Sequence, residues 1–258
     1  VINGDSVSIY KDLDIGSAKP TIEEREGIAH HLIDIREVEE DYTVFDYQKD
    51  VRQKIEEITS RNKRVIIVGG TGLYIKAGLY NYTFTEGTTY NQYEDMTNQE
   101  ILDRIKKFKV AETPDVNNRK RLVRLLNKVE NNEDLSKNKD ELLYNIKTIG
   151  LTTPREILYE RINKRVDIML ENGLLEEVKA IYNRGLNPEN SNAMQGIGYK
   201  ELVSYIKGEI SLDEAIDKIK QHSRNYAKRQ LTWFRRNDNI IWINPEEKDI
   251  VNKVLTLY

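Results

Sequence analysis

The apolar run Val65-Ile66-Ile67-Val68 ends abruptly in Gly69-Gly70-Thr71-Gly72-Leu73-Tyr74. A β-branched run closed by glycines and followed by a helix-compatible segment predicts a strand, a turn and a helix. Upstream, Val1-Ile2 reads as the end of a buried strand and Asn3-Gly4-Asp5-Ser6 as the loop after it. Between the two, a helix is predicted from Val44 to Arg61, with Val44, Val51, Ile55 and Ile58 on its inner side. Strand, helix, strand and glycine turn form a βαβ pattern, which implies a parallel sheet with helices on its faces. Another short strand is predicted at Leu32-Ile33-Asp34-Ile35.

Periodicity then lapses. Residues 80–100, dominated by Tyr, Thr, Asn and Glu, read as a linker or as the entry to an inserted subdomain. From Arg119 to Glu130, Leu122, Leu125, Leu126 and Val129 recur at helical spacing beneath a basic face of Arg121, Arg124 and Lys128. Asn131–Asp140 is a polar loop, and Lys147–Leu151 a strand returning to the core. A helix over Pro154–Glu171 is predicted to open with Thr153 as N-cap and Pro154 at the first helical position. Helices over Leu174–Arg184 and Leu212–Arg235 and a last strand at Ile240–Ile243 complete the pattern, with a glycine-rich turn at Gln195-Gly196-Ile197-Gly198-Tyr199.

Composition narrows the chemistry. With 258 residues, 38% hydrophobic and 32% charged, the chain suits a core domain carrying a smaller one. The absence of cysteine excludes disulfides, thiolate metal sites and a cysteine nucleophile, and three histidines leave little room for a histidine-built zinc site. No run of 18 apolar residues occurs, so no membrane span is expected, and a soluble cytoplasmic protein is. Net charge is −3, yet 215–236 carries Lys218, Lys220, Arg224, Lys228, Arg229, Arg235 and Arg236 against the single acid Asp217. Such a stripe fits a directed anionic partner, or simply a solvated helix face.

In a parallel sheet, ligands gather beyond the carboxyl ends of the strands, where Asp5 and Thr71 both fall. Asp5 reads as a general base or as a loop-capping Asp; Thr71 as a hydroxyl donor to phosphate or as a helix cap. The amides of the Gly69-Gly70 turn and the helix after it can face an anion. Arg161 and Arg165, one helical turn apart, suit a diphosphate clamp, or ordinary ion pairs with Glu160 or Asp167. Lys19, after a glycine turn, is placed to reach the same anion. On the long helix Lys220, Arg224 and Lys228 share a face, with Tyr226 and Trp233 nearby; cations interleaved with aromatics suit phosphates and stacked bases.

These residues fall within segments by which the chain resembles the tRNA dimethylallyltransferase (tRNA isopentenyltransferase) family: GDS at 4–6, YKDLDIGSAKP at 10–20, HHLIDI at 30–35, VGGTGLY at 68–74, YERINKRVD at 159–167, GLLEEV at 173–178, QGIGYKE at 195–201 and RNYAKRQLTWFR at 224–235. The resemblance implies an α/β fold, a P-loop-type parallel sheet flanked by helices, with 1–83 and 147–258 as catalytic core and 84–146 as a small inserted helical tRNA-binding domain. The implied reaction moves a dimethylallyl group from dimethylallyl diphosphate to N6 of the adenosine 3′ of the tRNA anticodon. By this likeness Asp5 takes the N6 proton, while Thr71 and Arg165 serve the diphosphate, with Lys19, Gly69, Gly70 and Arg161 beside them. Ser6, Val7, Ser8, Asn117, Arg121, Gln195, Gly196, Tyr199, Arg224, Lys228 and Arg229 match places where the family touches tRNA. Mg²⁺ is expected with the diphosphate, Ser6 being the candidate metal contact. The expected partners are the tRNA anticodon stem-loop and dimethylallyl diphosphate, with no membrane, and nothing demands a dimer, so a monomer is expected.

The family's phosphate loop, G-x-x-x-x-G-K-[ST], is nowhere in these residues. Val1 begins in mid-strand, so the loop is expected upstream of it; a degenerate protein without the loop is the other reading. Residues 86–116 match the family poorly. Three alternatives share the core: transfer to free adenine nucleotide, a small-molecule kinase, and an inactive RNA-binding remnant.

Overall fold

Ile2–Asn3 (β1) and Ile67–Val68 (β2) pair in parallel, Ile2 opposite Ile67 and Asn3 opposite Val68. The computed structural model describes residues 1–82, 84, 93–110, 113–131 and 141–257. Val44–Ser60 (α1) crosses between the two strands. Thr43 begins that helix with a capping box: its hydroxyl accepts from the Asp46 amide, and Asp46 accepts from the Thr43 amide at 2.8 Å. Val51, Ile55 and Ile58 are buried as predicted, joined by Tyr47, whose hydroxyl donates to Asn3 O at 3.0 Å. Its ring stacks on Tyr74 at 4.2 Å, so α1 packs against Gly72–Leu79 (α2) directly behind the glycine turn.

The predicted strand at 32–35 is corrected to two isolated bridges, Ile2 with His31 and Tyr10 with Arg36. Leu32 and Asp34 have φ of +61° and +56°, values that no regular strand accommodates. The second strand pair is longer. Thr148–Leu151 (β3) runs parallel to Ile240–Ile243 (β4) in register from Thr148–Ile240 to Leu151–Ile243. The class is therefore α/β with parallel strands, in two separate two-stranded sheets among the described residues. Nor is β2 buried on both faces: Val68 is 58% exposed, as is Ile66 just before the strand.

The chain forms two compact units, Val1–Leu79 with Leu143–Tyr258, and Tyr80–Leu142. In the first, Arg155–Glu171 (α5), Leu174–Tyr182 (α6), Tyr199–Ile206 (α7) and the long Leu212–Phe234 (α8) follow β3, and Ile250–Leu255 closes the series. Thr153 does not cap α5. Pro154 takes the cap position without a side-chain bond, and Thr153 Oγ1 is buried with no partner among the described residues. Proline at that position has no side-chain acceptor to offer the amides of the first turn. Among the described residues no helix is long and apolar enough to cross a membrane.

In the second unit Asn98–Ile105 (α3) packs on Arg119–Glu130 (α4) around Tyr93, Ile101, Ile105, Leu122, Val123, Leu126 and Val129. Burial and a 2.6 Å hydrogen bond donated to Glu130 push the Tyr93 phenol up to about 12. Arg119 ties α4 to the start of α3 by donating to Asn98 Oδ1 at 3.0 Å, and to the segment before it by donating to the carbonyls of Met96 and Tyr93 at 2.7 and 2.6 Å. Residues 132–140, most of the predicted polar loop, lie outside the described residues.

Candidate active site

Just past the carboxyl ends of β1 and β2, two loops are laced together. Gly4 N donates to Val68 O at 2.7 Å, and Thr71 N donates back to Gly4 O at 3.2 Å. Thr71 Oγ1 accepts from the Ser6 amide at 3.1 Å and lies 3.3 Å from Ser6 Oγ. Residues 65 positions apart in the chain thus share one crevice, as the position beyond parallel strands predicts.

The glycines are there for space. None of Gly4, Gly69, Gly70 and Gly72 has a positive φ. A Cβ on Gly69 would collide with the backbone of Gly4, one on Gly70 with Gln230 Nε2, and one on Gly72 with the Trp233 ring. The amides of Gly69 and Gly70 have no backbone acceptor among the described residues, so they are available to an anion.

Asp5 fills the loop-capping part that its position suggested. Its Oδ1 accepts from the amides of Val7 (2.8 Å) and Ser8 (3.2 Å), an Asx turn that shapes the loop. Oδ2 carries no hydrogen bond among the described residues and is left for another donor. The loop is held from beneath by Asn3, which is 7% exposed. Its Nδ2 donates to Asp5 O and Leu32 O, both at 2.9 Å, and its Oδ1 accepts from the Asp5 amide. Asn3 escaped the sequence reading, although a polar residue ending a buried strand just before Gly4-Asp5 was the available signal. Ser8 is buried, and Val7 is half-buried.

The long helix α8 closes the other side. Tyr226, Gln230 and Trp233, at i, i+4 and i+7, meet the glycine turn: Gln230 Nε2 donates to Gly70 O at 2.9 Å, and Tyr226 OH lies 3.5 Å from the same carbonyl. Burial, and then the charge of Asp5, raise the Tyr226 pKa, so the phenol keeps its proton. Arg229 sits over its ring at 5.7 Å.

The other expected residues divide. Lys228, Arg229 and Gln195 are exposed, as RNA contacts require, and Lys228 has no ion pair among the described residues. Arg224 donates to Asn163 at 2.6 Å, and Lys220 pairs with Asp167 at 2.5 Å, so part of the basic stripe serves the α5–α8 contact. Arg161 pairs with Glu246, not with Glu160 or Asp167. Arg165, on the same helix, is exposed without a partner among the described residues. In the second unit Asn117 and Arg121 are exposed around the start of α4.

Two expectations are corrected. The Lys19 ammonium is already held by Tyr10 O (2.5 Å), Asp14 (2.8 Å) and Asp34 (2.5 Å), and its side chain is 4% exposed; it braces its own loop. Tyr199 is wholly buried and cannot meet an RNA. Its hydroxyl donates to Glu177 at 2.7 Å, and its ring lies under Gly16. Glu177 also accepts from the amides of Asp14, Ile15 and Gly16 at 2.9, 2.7 and 3.1 Å, locking residues 14–16 onto α6. Burial and that carboxylate raise the Tyr199 pKa. In the same turn Gly196 has an ordinary φ of −57°, whereas Gly198 has φ +99° and donates to buried Glu201 at 2.7 Å. Gly198→Ala is expected to lower unfolding stability by about 1–2 kcal/mol, read from the urea midpoint; an unchanged midpoint would refute the strain.

The fold and the crevice define an α/β protein of parallel strands that offers a carboxylate, a hydroxyl and free amides at one strand end, with a cation-bearing helix alongside. Residues 8–237 match the family model of IPP transferases, and the chain belongs to that family. It is 47% identical over 257 residues to a tRNA dimethylallyltransferase of Bacillus velezensis, covering 94% of this chain and 81% of that protein. To one from Bacillus anthracis it is 42% identical over 270 residues, 99% of this chain and 85% of that one. Among solved structures, a tRNA delta(2)-isopentenylpyrophosphate transferase from Staphylococcus epidermidis superposes with TM-score 0.74 at 41% identity, covering 99% of this chain and 89% of that one. A eukaryotic dimethylallyltransferase acting on tRNA gives the same TM-score at 26% identity, over 98% and 70%.

Proposed function

We propose that this chain transfers a dimethylallyl group from dimethylallyl diphosphate to N6 of the adenosine 3′ of the tRNA anticodon. The observation that carries the reading is Asp5, with one carboxylate oxygen spent on its loop and the other free, bound through Ser6 to Thr71 at the rim of a glycine turn with open amides. Its 47% identical relative bears the name of that activity.

An adenine stacked in an anticodon loop must leave the stack before its exocyclic amine can react. Asp5 Oδ2 accepts a hydrogen bond from N6 and aims its lone pair at C1 of the allyl group. As the N6–C1 bond forms, the C1–O bond breaks, its electron pair leaves with diphosphate, and the N6 proton passes to Asp5. Negative charge grows on the departing diphosphate, where the Gly69 and Gly70 amides, the Thr71 hydroxyl and the Arg165 guanidinium would receive it. Among the described residues no cluster of three His, Asp or Glu stands ready for a metal. The Ser6 hydroxyl is a hard oxygen of the kind that Mg²⁺ accepts when it also binds substrate phosphates, and the ion would neutralise part of the diphosphate charge. Lys228 and Arg229 supply cations to the RNA backbone.

The test is transfer of radiolabelled dimethylallyl to an anticodon stem-loop, with a guanosine-substituted stem-loop and free AMP as controls. Label on the adenosine stem-loop alone is expected. Label on AMP would replace this reading with the free-nucleotide one, and RNA binding without transfer would replace it with a non-enzymatic one. In the same assay Arg165→Ala should lower kcat about a hundredfold while leaving stem-loop affinity nearly unchanged. An effect on affinity alone would move Arg165 to the RNA side.

A further inference from the structure

We propose that Gln230 is a positioning residue for the transfer, acting through the glycine turn and not through the RNA. The inference rests on the function proposed above. Gln230 stands on the basic helix α8, where an RNA contact would be the obvious assignment, yet its amide points the other way. Nε2 donates to Gly70 O at 2.9 Å. The Tyr226 phenol lies 3.5 Å from the same carbonyl. The amide fills the volume that a Cβ on Gly70 would need, and one turn on, Trp233 fills the volume beside Gly72.

The Gly70 carbonyl is flanked by two groups the reaction needs: the Gly70 amide before it and Thr71 after it. A carbonyl can accept but never donate, so only the amino end of the Gln230 amide satisfies it. The peptide plane of that carbonyl also carries the Thr71 amide, which donates to Gly4 O at 3.2 Å, so holding it fixes Thr71 and keeps Thr71 Oγ1 against Ser6, one residue from Asp5. Misplacing a positioned group by about 1 Å can lower a rate about a hundredfold, so one hydrogen bond at this point has leverage beyond its own strength.

Three readouts in the full chain test the proposal, with thermal unfolding to show that each variant folds. Gln230→Leu, close in size but without a donor, should lower kcat at saturating stem-loop about tenfold while the stem-loop Kd stays within about twofold. Gln230→Glu can donate to Gly70 O only while protonated. Its kcat divided by that of the parent should therefore rise as pH falls from about 8 to about 5.5, the division removing the pH dependence that parent and variant share. If Gln230→Leu does not fold, the Gln230→Glu ratio decides alone. A Gln230→Leu kcat within about twofold of the parent, or a flat Gln230→Glu ratio, overturns the proposal. So does a weakened stem-loop Kd with kcat retained, which would make Gln230 an RNA contact. A parent chain that transfers no label overturns the functional reading and this inference together, whereas an active parent with an unaffected Gln230→Leu overturns this inference alone.

Discussion

Asp5→Asn should lower kcat for dimethylallyl transfer about a thousandfold, within the range that a positioned general base supplies, while stem-loop affinity stays within about twofold. Asparagine is the informative replacement because the two carboxylate oxygens have separate tasks. Its carbonyl oxygen can still accept from the amides of Val7 and Ser8, so the Asx turn persists. What disappears is the free oxygen that takes the N6 proton. Asp5→Ala removes both functions and would mix loss of the base with loss of the loop. Single-turnover rates with saturating stem-loop and dimethylallyl diphosphate measure the step directly. A kcat for Asp5→Asn within tenfold of the parent would remove Asp5 from proton transfer and leave it as a loop cap.

Gly69→Ala is the strongest structural prediction. The added methyl would overlap the Cα, C and O atoms of Gly4. Those are backbone atoms, pinned on one side by Val68 O and on the other by Thr71 N, and they cannot rotate away as a side chain would. The two loops must separate, or β1 and β2 must shift. A stability loss of about 3 kcal/mol is expected, with transfer reduced at least about a hundredfold as Asp5 and Thr71 move apart. Because Gly69 has no positive φ, the loss comes from space and not from backbone conformation. A urea midpoint equal to that of the parent would show that the loops are not locked together at this point.

Much of this was legible along the chain. The spacing of Val51, Ile55 and Ile58 placed α1 to within a residue, and that of Leu122, Leu126 and Val129 placed α4, because helical periodicity depends only on near neighbours. The site loops were legible too, since glycines after a β-branched run and an Asp just past a strand are local signals. The strand expected at 32–35 was not, because its apolar pattern says nothing of the left-handed backbone at Leu32 and Asp34. Tyr199 was expected at the RNA only by family resemblance, and its local sequence, a glycine turn, could not contradict that. Its burial depends on Gly16 and Glu177, residues far away in the chain.

By itself, then, the sequence determined which segments coil or extend, and which side chains have chemistry to offer: a carboxylate, a hydroxyl, free amides and a row of cations. Tertiary structure decided which of them meet. It set Gly4 against Gly69, turned Gln230 toward Gly70, gave Arg161 to Glu246 and Lys19 to Asp34, and left one oxygen of Asp5 free. The reason is range. Periodicity and capping act over three or four residues, whereas hydrogen-bond partners and excluded volume are set by whatever the fold brings within a few ångströms, however distant it lies in the chain.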